Sequence, residues 1–120
     1  MDRALLASYG IDYDAGLKRC ANNAAFYRRM LHMFLEDDSF QRAKRAFEAG
    51  DTETLFGCMH ELKGVAGNIA MSTLFGAASP MVELLRGGAP DAKCVADAFA
   101  AVERAYLVTR EGVEIALAQE

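Results

Sequence analysis

Apolar residues recur every three or four positions in four long segments of this chain, and this spacing leaves few folds open. It is the period of an α-helix that buries one face. The sequence has only two prolines, and alanine and leucine, which favour helix, are frequent. Few β-branched residues are clustered, so a sheet has little support. The pattern therefore predicts an all-α fold.

The first predicted helix is short. Asp12 or Asp14 would cap it, because an aspartate side chain accepts hydrogen bonds from the free N–H groups of a first turn. It extends to about Cys20. Residues 1–11 show no clear periodicity, and 1–10 is interpreted as an N-terminal extension of a helical bundle formed by 11–118.

The next segment is capped by Asn22 or Asn23 and is interpreted as one helix over about 23–49, bent near 37–39. Two helices broken at that bend are the alternative. Gly50 ends the segment, since glycine tolerates the left-handed conformation common after a helix. The predicted inward residues are Phe26, Met30, Met33, Phe34 and possibly Leu35, followed by Phe40, Ala43, Ala46 and Phe47.

Three more segments complete the pattern. One helix begins after a cap at Asp51 or Thr52 and runs to about Ile69. The next extends from about 72 to 85 and contains Pro80, which predicts a kink or a late start. After a loop at 87–90, Asp91 caps a last helix that reaches about 117. Short connections between four long amphipathic helices predict a single antiparallel four-helix bundle over 1–120, with the short N-terminal helix covering one end.

Charge and composition exclude several classes of function. The net charge of −4 gives no sign of the basic face that nucleic-acid binding requires. No apolar run approaches the roughly 20 residues of a membrane span, and the first residues do not form a signal peptide. We therefore expect a cytoplasmic monomer that binds neither membrane nor nucleic acid. Three widely spaced cysteines argue against a disulfide framework.

The segment 52–69 carries the most informative residue, His60. On a helix, one side would be apolar, and His60 would point the opposite way. The apolar side is formed by Leu55, Met59, Leu62, Ala66 and Ile69. The side of His60 holds Glu53, Phe56, Gly57, Lys63, Gly64 and Gly67.

Three glycines around one outward histidine require an explanation, because glycine inside a helix costs about 1 kcal/mol relative to alanine. One explanation is that a large partner approaches His60 along the helix. The alternative is close packing against another helix. That packing would bury Lys63 and Glu53 without partners, which is costly.

The residue types on this face suit phosphoryl transfer. A neutral imidazole is a nucleophile. Because the ordinary pKa of histidine is about 6.5, the neutral form is available at cell pH. Lys63, one turn from His60, would offset phosphate charge. Phe56 offers an apolar contact to a docked partner, and Gly57, Gly64 and Gly67 leave room for it. His32 is interpreted as a residue at the edge of the bundle.

Metal and nucleotide sites find no support in the sequence. No Cys-x-x-Cys pair occurs, and neither histidine follows a glutamate at the spacing of bundled di-iron sites. No Gly-x-x-x-x-Gly-Lys-Ser/Thr loop is present, so we expect no ATP site and no self-sufficient enzyme.

Residues 52–86 resemble the histidine phosphotransfer (HPt) domains of two-component phosphorelays. The pattern His-x-Leu-Lys-Gly stands here as 60–64, followed by small residues. Weaker similarity extends over 11–118, at Ile11-Asp12, Leu17, the 26–34 stripe, Gly50-Asp51 and Val82-Glu83. The departures are Met59, Val65, Ala70 and Pro80, where that family often has other residues.

The resemblance implies a four-helix bundle with His60 phosphorylated on its outer imidazole nitrogen. It implies that Lys63 steadies the phosphoryl group and that Gly64 gives a receiver domain room to dock. The implied partners are response-regulator receiver domains and a sensor or hybrid histidine kinase. The receiver would supply an aspartate and a bound Mg²⁺, and this chain would need no cofactor of its own.

A helical adaptor that binds a signalling partner through the same face, without accepting phosphate, is the alternative function. The absence of kinase-like or receiver-like segments favours a free-standing carrier over a piece of a hybrid kinase.

Overall fold

The computed structural model describes residues 1–88 and 90–120, which form seven helices and no strand. Ala89, in the predicted loop, lies outside the described residues. The helices are α1 (Arg3–Ser8), α2 (Tyr13–Arg19), α3 (Ala24–Glu36), α4 (Ser39–Glu48), α5 (Thr52–Asn68), α6 (Ser72–Arg86) and α7 (Ala92–Ala118). The all-α bundle predicted from the sequence is confirmed. It measures 43 × 23 × 20 Å.

The segment predicted as one helix over 23–49 is in fact two helices. Asp37 has extended backbone angles (φ −67°, ψ 133°), which end α3 at Glu36. Its carboxylate accepts a hydrogen bond from the N–H of Ser39 at 2.9 Å. Aspartate side chains compete with helix for backbone groups in this way. The single bent helix was therefore wrong, and the alternative of two helices is correct.

The buried stripe of α3 is also rotated from the predicted one. Tyr27, Leu31 and Phe34 are buried, whereas Phe26 is 43% and Met33 is 54% exposed. The hydroxyl of Tyr27 donates a hydrogen bond to the carbonyl of Ile69 at 2.9 Å. Burial raises the pKa of this phenol. The predicted inward positions of Phe26 and Met33 were therefore wrong.

Helix α1 lies in the segment interpreted as an extension and is not predicted by the sequence pattern. Its Leu6 is fully buried. Tyr9, directly after this helix, packs closely against Gly112 of α7, since a Cβ at Gly112 would lie 2.4 Å from the Cβ of Tyr9. Six residues are too few for a helical period to be recognised. The helix nevertheless belongs to the core.

The core is organised around α5, which lies between α4 and α6, while α6 and α3 pack on α7. Between α4 and α7 the aromatic rings form a continuous stack. Phe47 lies 4.4 Å from Phe99, and Phe40 lies 4.2 Å from Tyr106, measured between ring centroids. Phe99 and Phe40 are 5.8 Å apart and join the two pairs. We call these four residues the aromatic stack.

Helix α6 runs from Ser72 to Arg86 with Pro80 inside it. The late start that the proline predicted is therefore wrong. Met71 precedes the helix without a side-chain cap. The antiparallel turn between α5 and α6 passes through Ala70, whose φ of 57° is left-handed.

The end of α2 allows a test of backbone strain. Ala21 is exposed and has a φ of 55°. The N–H of Asn22 donates to the carbonyl of Leu17 at 2.8 Å, and that of Ala21 to Lys18 at 3.1 Å. This is the Schellman arrangement, in which glycine is preferred at the left-handed position.

Replacing Ala21 with glycine should raise the free energy of unfolding by about 0.5–1 kcal/mol, because the left-handed penalty of alanine exceeds the chain entropy that glycine adds. Urea unfolding followed by circular dichroism measures this. The control is Ala96→Gly at an exposed position inside α7, which should lower stability by about 1 kcal/mol. A loss of stability in Ala21→Gly would contradict the interpretation that the left-handed backbone of Ala21 is strained.

Candidate functional site

Helix α5 is built so that His60 faces outward. The carboxylate of Asp51 accepts a hydrogen bond from the N–H of Thr54 at 3.1 Å and caps the helix. Hydrogen bonds from the side chain and backbone of Thr54 lower the pKa of Asp51. The predicted apolar face is buried throughout, at Leu55, Met59, Leu62, Ala66 and Ile69. His60, on the opposite side, is exposed.

Two glycines beside His60 serve no packing within the protein. A Cβ at Gly57 or at Gly64 would have no neighbouring atom within 4 Å. Both residues are exposed. By contrast, a Cβ at Gly16 would lie 2.4 Å from the ring of Tyr27, so that glycine is required for packing. Close helix–helix packing therefore does not explain Gly57 and Gly64.

Gly67 differs from the other two glycines. It is half-buried, and a Cβ there would lie 3.2 Å from the Cε2 of Phe75, in the first turn of α6. The carbonyl of Gly67 accepts a hydrogen bond from the guanidinium of Arg19. Gly67 thus lets the Phe75 ring of α6 and the Arg19 side chain of α2 pack against the end of α5.

Two aromatic residues border the exposed face, and a positively charged side chain lies over each of their rings. The ring of Phe56 lies 6.2 Å from that of His60, and the guanidinium carbon of Arg86 lies 5.5 Å from the Phe56 centroid. The ammonium of Lys63 lies 5.7 Å from the centroid of Phe75. We call the surface of His60, Lys63, Phe56, Gly57 and Gly64 the histidine face.

The sequence pattern predicts every residue of the histidine face but not Phe75 and Arg86 of α6. The spacing of apolar residues gives no clear signal for Phe75. It lies seven positions before the buried Val82, and so at the edge of the buried side of α6.

The acidic neighbour of His60 in sequence is paired elsewhere. The carboxylate of Glu61 lies 2.8 Å from the guanidinium of Arg42, in α4. Arg42 also pairs with Asp38 at 2.9 Å. These carboxylates, Glu61 first, raise the pKa of Arg42. The charge of Glu61 is therefore balanced by a partner on another helix, which reduces its repulsion of an anion at His60.

His32 is the other histidine of the chain and is also exposed, on α3. No glycine occurs in α3. Both histidines are therefore exposed, but exposed glycines lie on the same helix face beside His60 and none lies in the helix of His32.

Within residues 1–88 and 90–120, no three His, Cys, Asp or Glu side chains come together as possible metal ligands. No helix in this part of the chain combines the length and the apolar character needed to cross a membrane.

Comparison with known proteins identifies the family. A family model described as Hpt domain matches residues 29–112, which is more than half of the chain. The chain belongs to the Hpt domain family. The Hpt resemblance of the 60–64 motif is thereby confirmed, and this Hpt domain has a histidine phosphotransfer role in a phosphorelay. Hpt domains are phosphocarriers rather than conventional enzymes, and they interact with receiver domains and histidine kinases.

A solved structure supports the fold of this Hpt domain. The HPT domain from the Hpt sensor hybrid histidine kinase from Shewanella superimposes with a TM-score of 0.84. The alignment covers 93% of this chain and 97% of that chain at 16% sequence identity. At this identity the similarity establishes the helical bundle alone. No curated protein matches the chain significantly.

Proposed function

We propose that His60 is the residue that accepts the phosphoryl group, and that it exchanges this group with the aspartate of a receiver domain. The observation that carries the proposal is the exposed imidazole beside Gly57 and Gly64, where no atom of the rest of the protein lies within 4 Å of the missing side chains. An exposed helix face of this kind admits another protein, whereas a pocket admits a small substrate.

The reaction exchanges one bond to phosphorus for another. The lone pair of the outer imidazole nitrogen forms an N–P bond while the P–O bond to the aspartate breaks, and the electron pair returns to the carboxylate. Catalysis of such transfers depends on in-line alignment and charge stabilisation. Lys63 supplies positive charge on the same face as His60.

The partner would complete the site. We expect the receiver domain to bring its aspartate and a bound Mg²⁺, with no cofactor held by this chain. Phe56, Gly57, Gly64 and Gly67 would form the docking surface, with a histidine kinase as the other partner. We further propose that the Hpt domain is a cytoplasmic monomer that has no ATP site and depends on the kinase for its phosphate.

The test is transfer of radioactive phosphate from a phosphorylated receiver domain. The wild type should acquire a label that is stable in base and labile in acid, as expected of phosphohistidine. His60→Gln should acquire none, while His32→Gln, the matched exposed histidine, should be labelled like the wild type.

Two results would contradict the proposal. Label that persists in His60→Gln would move the acceptor elsewhere. A wild type that binds receiver domains but takes no label from any of them would favour the alternative, a helical adaptor that uses the same face.

A further inference from the structure

The ammonium of Lys63 has an aromatic partner instead of a carboxylate. It lies 5.7 Å from the ring centroid of Phe75, within the range of a cation–π interaction. None of the ion pairs among residues 1–88 and 90–120 includes Lys63. A free lysine side chain adopts many rotamers, so a partner that restricts Lys63 affects how it meets a phosphoryl group.

The backbone of Phe75 is held in the first turn of α6, and its ring packs against α5. The N–H of Phe75 donates to the carbonyl of Met71 at 2.9 Å, and its own carbonyl accepts from the hydroxyl of Ser79 at 2.8 Å. The edge of the ring lies against Gly67, where a Cβ would be only 3.2 Å away. Glycine at this position lets the ring reach α5 one turn beyond Lys63.

The ring still faces solvent on one side. Phe75 is 40% exposed, and Lys63 is half-buried. A cation held over a ring keeps its three N–H donors available, whereas a carboxylate partner would occupy them and cancel the charge. A phosphoryl group on His60 would therefore meet an ammonium that is restrained and has no counterion to displace.

We propose that Phe75 is a positioning residue for Lys63, and that it holds the ammonium ready for the phosphoryl group on His60. The proposal rests on the function proposed above. It assigns a role in the reaction to a residue of α6 outside the His60–Gly64 motif. It also gives Gly67 a second purpose beside docking, one that Gly57 and Gly64 do not share, which is to admit the ring.

The test uses a small donor, so that docking does not enter. Potassium phosphoramidate transfers its phosphoryl group to an imidazole as its P–N bond breaks and ammonia leaves. Phe75→Leu keeps an apolar side chain but removes the ring face. It should slow phosphorylation of His60 about two- to fivefold, the range of an exposed cation–π interaction. Phe75→Tyr retains the ring face and should keep the wild-type rate.

A double-mutant cycle separates positioning from general structural damage. In a Lys63→Gln background, Phe75→Leu should change the rate by less than about 1.5-fold, because residues that act through one another are not additive. Phe26→Leu, at a comparably exposed aromatic residue (43%) of α3, should have no effect. In the unphosphorylated protein, the ε-methylene protons of Lys63 should show a ring-current shift that disappears in Phe75→Leu.

The outcomes distinguish this inference from the proposed function. Equal rates for the wild type and Phe75→Leu, an unchanged Phe75→Leu effect in the Lys63→Gln background, or failure of Phe75→Tyr to restore the rate would each overturn the inference alone. A wild type whose His60 takes no phosphoryl group from phosphoramidate or from a receiver would overturn both.

Discussion

Replacing Gly64 with leucine should slow phosphoryl transfer from a receiver domain by about a hundredfold or more while making the bundle slightly more stable. The two effects have separate causes. Leucine inside an exposed helix is favoured over glycine by roughly 0.8 kcal/mol, and its Cβ meets no other atom within 4 Å. Yet a side chain there would displace a docked partner, and misplacement of reacting groups by about 1 Å can cost 10²-fold in rate.

The measurement pairs single-turnover transfer with urea unfolding. Gly64→Ala should lie between the wild type and Gly64→Leu in transfer rate. Ala96→Leu, which adds the same bulk at an exposed position of α7, should leave transfer unchanged. Phosphorylation of Gly64→Leu by phosphoramidate should remain within a few-fold of wild type, since the small donor needs little space. Parallel loss of stability and transfer in Gly64→Leu would mean that the glycine serves packing.

Replacing Phe99 with alanine should lower the free energy of unfolding by about 3–5 kcal/mol. Phe99 is 3% exposed and joins the two halves of the aromatic stack, at 4.4 Å from Phe47 and 5.8 Å from Phe40. Its removal leaves a cavity and breaks two ring contacts, each worth about 0.5–1.5 kcal/mol beyond burial. Since a domain is stable by only about 5–15 kcal/mol in total, this single change would bring the protein close to unfolding.

The control for Phe99→Ala is Phe26→Ala, which removes an aromatic residue that is 43% exposed. It should cost less than about 1 kcal/mol. Urea unfolding followed by circular dichroism compares the two. Equal losses in both variants would show that the aromatic stack contributes little beyond burial of any ring.

The sequence predicted α5 and its exposed face well because the helix is strongly one-sided. Five apolar residues at helical spacing define a single buried face, so the orientation of His60 follows directly. The three glycines near His60 left two explanations, docking of a partner or close packing against another helix. The structure excludes packing at Gly57 and Gly64, where a Cβ would have no neighbour within 4 Å.

Helix α3 was harder because two stripes compete. Phe26, Met30 and Met33 have the same spacing as Tyr27, Leu31 and Phe34, and the two sets differ only by rotation about the helix axis. The choice depends on tertiary contacts, including the hydrogen bond from Tyr27 to Ile69 and the room left by Gly16. Neither of these contacts can be predicted from the hydropathy pattern of α3 alone.

The partner of Lys63 lies beyond sequence reasoning for a similar reason. Phe75 reaches α5 because the left-handed Ala70 reverses the chain and because Gly67 leaves room for the ring. Periodicity places Phe75 at the edge of the buried side of α6, but the register between α5 and α6 decides which residue it meets.

The most direct test of the central claim uses the fact that the chain has only two histidines. Long-range ¹H–¹⁵N spectra of protein labelled at histidine should show two imidazole rings. After phosphorylation by a receiver domain, one ring should show the nitrogen shift of phosphohistidine, and this ring should be absent from the spectrum of His60→Gln. A phosphorylated ring that remains in His60→Gln and disappears in His32→Gln would contradict the assignment of His60 as the phosphoryl acceptor.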